Sequence, residues 1–132
     1  MQRRALLLAA TAIVAAGAVP AARAADLGTA FTPEGFAAAQ AAGKPILVHI
    51  WASWCPTCAK QTPTLSSLMD DKTFRHMAVF RVNFDTQKDT VRAFGATMQS
   101  TLIVFHGKTE TGRAVGETKP EAIRALLATA LA

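Results

Sequence analysis

Cysteine is scarce in this chain: 132 residues carry only two, Cys55 and Cys58. That scarcity excludes the multi-bridge frameworks that hold many small secreted domains together. A bridge between cysteines separated by two residues also constrains little of the unfolded chain, so a structural staple is a poor use of this pair. A hydrophobic run long enough to span a bilayer is lacking too. The run from Ala5 to Val19 is about 15 residues, where a spanning helix needs about 20. The three histidines, His49, His76 and His106, are too scattered for a metal motif, and Ala59 after Cys58 excludes haem attachment, which wants histidine there. There is no glycine-rich phosphate loop, no Ser-His-Asp set and no internal repeat.

The N-terminus has the pattern of a secretory signal. Arg3 and Arg4 precede the apolar run, Pro20 ends it, and Ala22-Arg23-Ala24 supplies a small-x-small cleavage site. Residues 1–24 are therefore expected to be a signal peptide cleaved before Ala25, with the protein exported, in a bacterial setting to the periplasm. Arg3-Arg4 also leaves the twin-arginine route open beside the general one. Fourteen Lys and Arg against nine Asp and Glu give +5, but three of the arginines lie in the signal, so the mature chain is near neutral. No nucleic-acid surface follows. The remaining residues, 25–132, suffice for one domain and its core.

What is present centres on the two cysteines. Ile46-Leu47-Val48-His49-Ile50-Trp51-Ala52-Ser53-Trp54-Cys55-Pro56-Thr57-Cys58 is an apolar run that stops at a Cys-x-x-Cys. One helical turn brings two such sulfurs to the same side, where they can close a small ring. The N–H groups and dipole of a helix start favour a thiolate at Cys55, whose pKa is expected to fall below that of a free thiol. The element pattern alternates. Thr32-Pro33 opens a helix over Pro33–Ala42, ended by Gly43. Pro45–Trp51 reads as a strand buried on both faces. Helices are expected over Cys58–Met69, kinked at Pro63, over Thr86–Phe94, and from Pro120 with Ile123, Leu126 and Leu127 inward. Further strands are expected at Ala78–Phe84, Thr101–Phe105 and Arg113–Val115, giving an α/β fold: a mixed sheet with helices on both faces.

On these residues, together with Asn83-Phe84-Asp85 and Gly116, residues 30–131 resemble the thioredoxin-fold family. The ring dipeptide Pro56-Thr57 is similar to that of exported TlpA/DsbE-like reductases, although the chain is too short for their usual N-terminal hairpin and central insertion. The resemblance implies a thiol–disulfide oxidoreductase without cofactor or metal, a monomer acting on protein disulfides or dithiols. Cys55 and Cys58 would be catalytic, and Trp54, Pro56, Thr57, Gln99, Ser100 and Thr101 would meet the client. A reductant outside the cytoplasm would also need an electron donor, membrane-bound or exported.

Two departures from the family pattern matter. Ser100 stands where these proteins place a cis-proline facing the cysteines; a cis bond to serine costs about 3 kcal/mol, so a trans Gln99–Ser100 bond and a reshaped loop are expected. Its hydroxyl either donates to the Cys55 thiolate or bonds its own loop. His49 stands where cytoplasmic thioredoxins carry a buried aspartate. It is either a general base toward Cys58 or a histidine held neutral in the sheet by one hydrogen bond. Arg81 aligns with a lysine bordering that relay, or simply reaches solvent. Trp51 and Trp54 are expected to pack beside the cysteines and shield them, or Trp51 only to fill the core, and Asp85 is expected to cap the following helix.

The leading expectation is an exported Cys-Pro-Thr-Cys oxidoreductase working through a mixed disulfide, as a reductase ahead of an oxidase; the sequence does not set the direction. The alternative is a metal-binding or metal-delivery module: without a cis-proline the sulfurs are open to soft ions, but two thiolates are half of a tetrahedral site.

Overall fold

The computed structural model describes residues 27–132. The expected signal segment and its cleavage point lie outside the described residues. Five strands and four helices run in the order β1 (Thr29–Ala30), α1 (Pro33–Ala41), β2 (Pro45–Trp51), α2 (Pro56–Asp70), β3 (Ala78–Asn83), α3 (Lys88–Ala93), β4 (Thr101–His106), β5 (Thr109–Val115) and α4 (Pro120–Ala128), followed by a 3-10 turn at Thr129–Leu131. The sheet order is β1-β3-β2-β4-β5. β1 and β2 run parallel to β3, whereas β4 is antiparallel to both β2 and β5. This is the thioredoxin fold that the resemblance implies.

Alternation along the strands divides the core. Leu47, Val79, Leu102 and Val104 pack with Leu65 of α2 and with Ile123 and Leu127 of α4. Ile46, Val48, Ile50, Phe80, Val82, Ile103 and Phe105 face the other way, into the aromatic layer built around Phe31. Because side chains point to opposite faces at every second residue, His49 shares the face of Leu47, and Arg81 shares the face of Val79. His49 is opposite Arg81 in the β2–β3 register. Both therefore lie on the side of the sheet that α2 covers.

Local chemistry sets the element ends. Thr32 Oγ1 accepts the Gly35 amide at 3.1 Å, with Pro33 in the first turn of α1. Gly107 turns β4 into β5 with φ +57°, in the left-handed region that glycine favours. Gly28 is required by space: a Cβ there would lie 2.4 Å from the Val79 carbonyl oxygen.

Several boundaries depart from the sequence expectation. β1 was not expected, because two residues carry no periodicity. α2 begins at Pro56, not Cys58, and continues through Pro63 to Asp70. α3 is shorter than Thr86–Phe94 because Asn83 Oδ1 accepts the amides of Asp85 and Thr86 and holds them in a turn. β5 starts four residues before Arg113, in the exposed polar stretch from Thr109 that offers no apolar signal.

Candidate active site

The β2 strand delivers the cysteines to the end of the sheet, where α2 begins. Cys55 is the residue that caps α2, and Pro56, fixed in φ and lacking an N–H, occupies its first position. Cys55 Sγ accepts the Cys58 amide at 3.1 Å. The cap position thus puts the first sulfur in the donor field of the helix start and the second one turn behind it. Both cysteines are free thiols and buried, at 4 % and 3 % exposure, and pack with Ala52 against Trp51 and Phe84.

Cys58 holds its proton firmly. Burial is the main reason that its thiol is pushed up to about 11; its hydrogen bond with Cys55 and that residue's charge act in the same direction, against backbone hydrogen bonds from Ala52 and Ser100.

Behind the cysteines lies a mainly apolar cavity of about 330 Å³ that reaches Cys55, Cys58, His49, Trp51, Thr62 and Arg81. His49 is 2 % exposed. Burial lowers its pKa from 6.5 to about 4; a hydrogen bond with Gln61 pulls it upward, and the charge of Arg81 pushes it further down. It is a neutral imidazole at physiological pH. Nε2 lies 3.1 Å from Gln61 Oε1, while Nδ1 is buried with no hydrogen-bond partner among the described residues. Arg81 does not simply extend to solvent: its guanidinium lies over the Trp51 ring, 5.3 Å from the centroid.

Gln61 is the site residue that the sequence reading missed. It is fully buried and donates through Nε2 to the carbonyls of Ser100 at 3.1 Å and Glu117 at 2.9 Å. Its signal was its spacing: Cys58, Gln61 and Leu65 form the buried stripe of α2, so a polar amide sits on a helix face that otherwise belongs to the core.

The client-facing candidates divide into two groups. Trp54 is 57 % exposed beside the cysteines, with Pro56 also at the surface and Thr57 half-buried. The expectation that Trp54 shields the cysteines is corrected: its indole is exposed, and Nε1 donates to Asp85 Oδ2 at 2.8 Å. Asp85 is accordingly not the cap of α3; Gln87 holds that position, with its side chain accepting the Asn83 amide instead. Gln99 is half-buried, but Ser100 and Thr101 are buried. Every described peptide bond is trans, and Ser100 has φ +56°. Its hydroxyl donates to the Gln99 carbonyl at 2.6 Å, as in the own-loop alternative, and Thr101 Oγ1 donates to the Met98 carbonyl at 2.6 Å. Those two side chains serve the loop. No group of three His, Cys, Asp or Glu side chains converges among the described residues, so the metal reading keeps only its two thiolates.

The family model for thioredoxin matches residues 29–129. Thioredoxin of Alicyclobacillus acidocaldarius is 32 % identical over 88 residues, covering 67 % of this chain and 83 % of the relative. Thioredoxin H-type of Fagopyrum esculentum is 34 % identical over 88 residues, covering 67 % and 74 %. The crystal structure of Trxlp from Edwardsiella tarda superposes with a TM-score of 0.74 at 40 % identity, covering 76 % of this chain and 98 % of that one. Malassezia sympodialis thioredoxin, at 19 % identity and a TM-score of 0.69 over 80 % and 93 %, shares the fold.

Proposed function

The chain belongs to the thioredoxin family and is a thiol–disulfide oxidoreductase with the pair Cys55 and Cys58; from that premise we propose that it is an exported reductant of protein disulfides, of the TlpA/DsbE-like kind. The observation that carries the reading is the capping contact, Cys58 N–H to Cys55 Sγ. It gives the first sulfur a backbone donor, while burial keeps the second protonated at neutral pH. The Cys55 thiolate attacks one sulfur of a client disulfide, and the other client sulfur leaves as a thiolate. Cys58 then attacks Cys55, releasing the reduced client and closing the enzyme's own disulfide.

With Cys58 near 11 and His49 near 4, proton transfer in the resting dithiol is strongly uphill. The proton leaves Cys58 together with formation of the sulfur–sulfur bond, and His49 is the acceptor in this reading. Trp54, Pro56, Thr57 and the Gln99 backbone form the client face.

Reductant direction is supported by the neutrality of His49, which adds no second cation to Arg81 at the cavity behind the sulfurs; strong oxidants of this fold have a stabilised reduced form. Export is supported by Arg3-Arg4, the Ala5–Val19 run and Ala22-Arg23-Ala24; the subtype is supported by Pro56-Thr57. Reduction of the enzyme's disulfide then requires a dithiol donor from a membrane or exported partner. One copy holds both sulfurs and suffices as the working unit.

The test is trapping. Cys58→Ser exposed to a disulfide-bonded client is expected to accumulate a mixed disulfide on nonreducing gels, and Cys55→Ser none; no adduct with Cys58→Ser contradicts the reading. Export predicts that the secreted fraction begins at Ala25, and a full-length chain retained in the cytoplasm rejects it.

A further inference from the structure

Gln61 has more hydrogen-bonding consequence than a structural amide needs. A side-chain amide has one acceptor oxygen and one donor nitrogen. The nitrogen of Gln61 sits between two backbone carbonyls, Ser100 O at 3.1 Å and Glu117 O at 2.9 Å, and carbonyls only accept. Both N–H bonds are thereby committed, and the amide cannot be flipped without setting its oxygen against two other oxygens. Oε1 must therefore be the atom that faces His49 Nε2, at 3.1 Å. An oxygen that can only accept requires that Nε2 carry the hydrogen. In a neutral imidazole, Nδ1 is then the nitrogen with the free lone pair.

From this geometry we propose that Gln61 is a positioning residue for the reaction: it locks His49 as the Nε2–H tautomer, so that Nδ1 is the acceptor for the Cys58 proton during resolution of the mixed disulfide. The proposal deepens the reductase reading and rests on it. His49, Cys58 and Cys55 border one cavity, and Nδ1 is a buried acceptor with no other partner among the described residues. In the step itself, Cys58 Sγ forms a bond to Cys55 Sγ as the Cys55–client bond breaks. The client sulfur leaves with the electron pair as a thiolate, and the Cys58 proton passes to Nδ1. The dithiol is oxidised by two electrons and the client disulfide is reduced. The same amide clamps the Ser100 loop to α2, so the loop opposite the cysteines and the base behind them share one anchor. Arg81 is the cation facing His49 across the strands, and it disfavours a resting imidazolium without blocking a transient one.

The test uses the mature protein with its histidines labelled with 15N. In the wild type, Nε2 of His49 is expected to resonate as the protonated nitrogen and Nδ1 as the unprotonated one; the opposite assignment overturns the proposal whether or not the protein reduces disulfides. Gln61→Met is expected to lose the fixed tautomer and to slow release of a preformed client mixed disulfide at least tenfold, with the rate of Cys55 attack changed less than twofold. A folded Gln61→Met variant with the wild-type tautomer, or with unchanged release, overturns the proposal. If Cys58→Ser traps no mixed disulfide, the reductase reading fails and the tautomer measurement still decides whether the lock exists.

Discussion

Trp54 and Asp85 are joined by a 2.8 Å hydrogen bond from the indole N–H to a carboxylate oxygen, and this bond anchors an exposed aromatic that is next in sequence to the buried Cys55. Trp54 lies immediately before Cys55, whereas Asp85 lies beyond the end of β3, so the contact ties the proposed client face to the sheet across 31 residues of chain. Removing it in Asp85→Ala is expected to change global stability by less than about 1 kcal/mol, since both partners are exposed. The effect should fall on docking: kcat/KM toward a protein disulfide drops about two- to fivefold, while reduction of a small aromatic disulfide is unchanged. Equal losses for both substrates would contradict a role in client docking.

Ser100 separates backbone strain from side-chain chemistry. Its φ of +56° disfavours any residue with a Cβ, and its hydroxyl is committed to Gln99 O. Ser100→Ala and Ser100→Gly both lose that hydroxyl, so Gly should be more stable than Ala by about 1 kcal/mol in urea unfolding. The rate of alkylation of Cys55 should stay within twofold of wild type in Ser100→Ala. A marked slowing would mean that the hydroxyl reaches the thiolate after all.

His49 makes folding sensitive to acid. Its folded pKa, about 4, lies below its unfolded value of 6.5, so the unfolded chain binds the extra proton first. The stabilisation is complete above pH 6.5, declines as the pH falls toward 4, and reaches a loss of about 3 kcal/mol at about 1.4 kcal/mol per pH unit. The unfolding free energy of the wild type from urea titrations should fall more steeply from pH 7 to 4 than that of His49→Gln, by about that amount. Parallel profiles would show that the imidazole is not buried neutral.

Cys58 should respond to its neighbour without becoming ordinary. Cys55→Ala removes the hydrogen bond and the charge that raise it but leaves the burial, which is the larger cause. Thiolate absorbance is expected to place Cys58 in that variant below about 11 and still above 9.0. A value at or below 9.0 would transfer the main cause from burial to Cys55.

The architecture was legible in the sequence wherever one signal dominated. Pro45–Trp51 is apolar but for His49 because β2 is covered on both faces, and Trp54-Cys55-Pro56-Thr57-Cys58 marks the strand-to-helix junction directly. His49 and Ser100 were legible as departures from a family pattern, although their hydrogen bonds were not. The features missed depend on partners distant in sequence. Gln61 becomes informative only when Ser100 and Glu117 arrive at its amide, and Asp85 is drawn from the helix cap by Trp54. β1 exists because Thr29 and Ala30 pair with Phe80 and Arg81, a relationship with no local pattern.

The central claim, that Cys55 and Cys58 form a reducing pair, is tested most directly by the redox midpoint of residues 25–132 in glutathione and dithiothreitol buffers with thiol trapping. The account predicts a two-electron midpoint at or below about −220 mV. A midpoint between about −180 and −120 mV, the range from disulfide isomerases to the strongest oxidants of this chemistry, would contradict it.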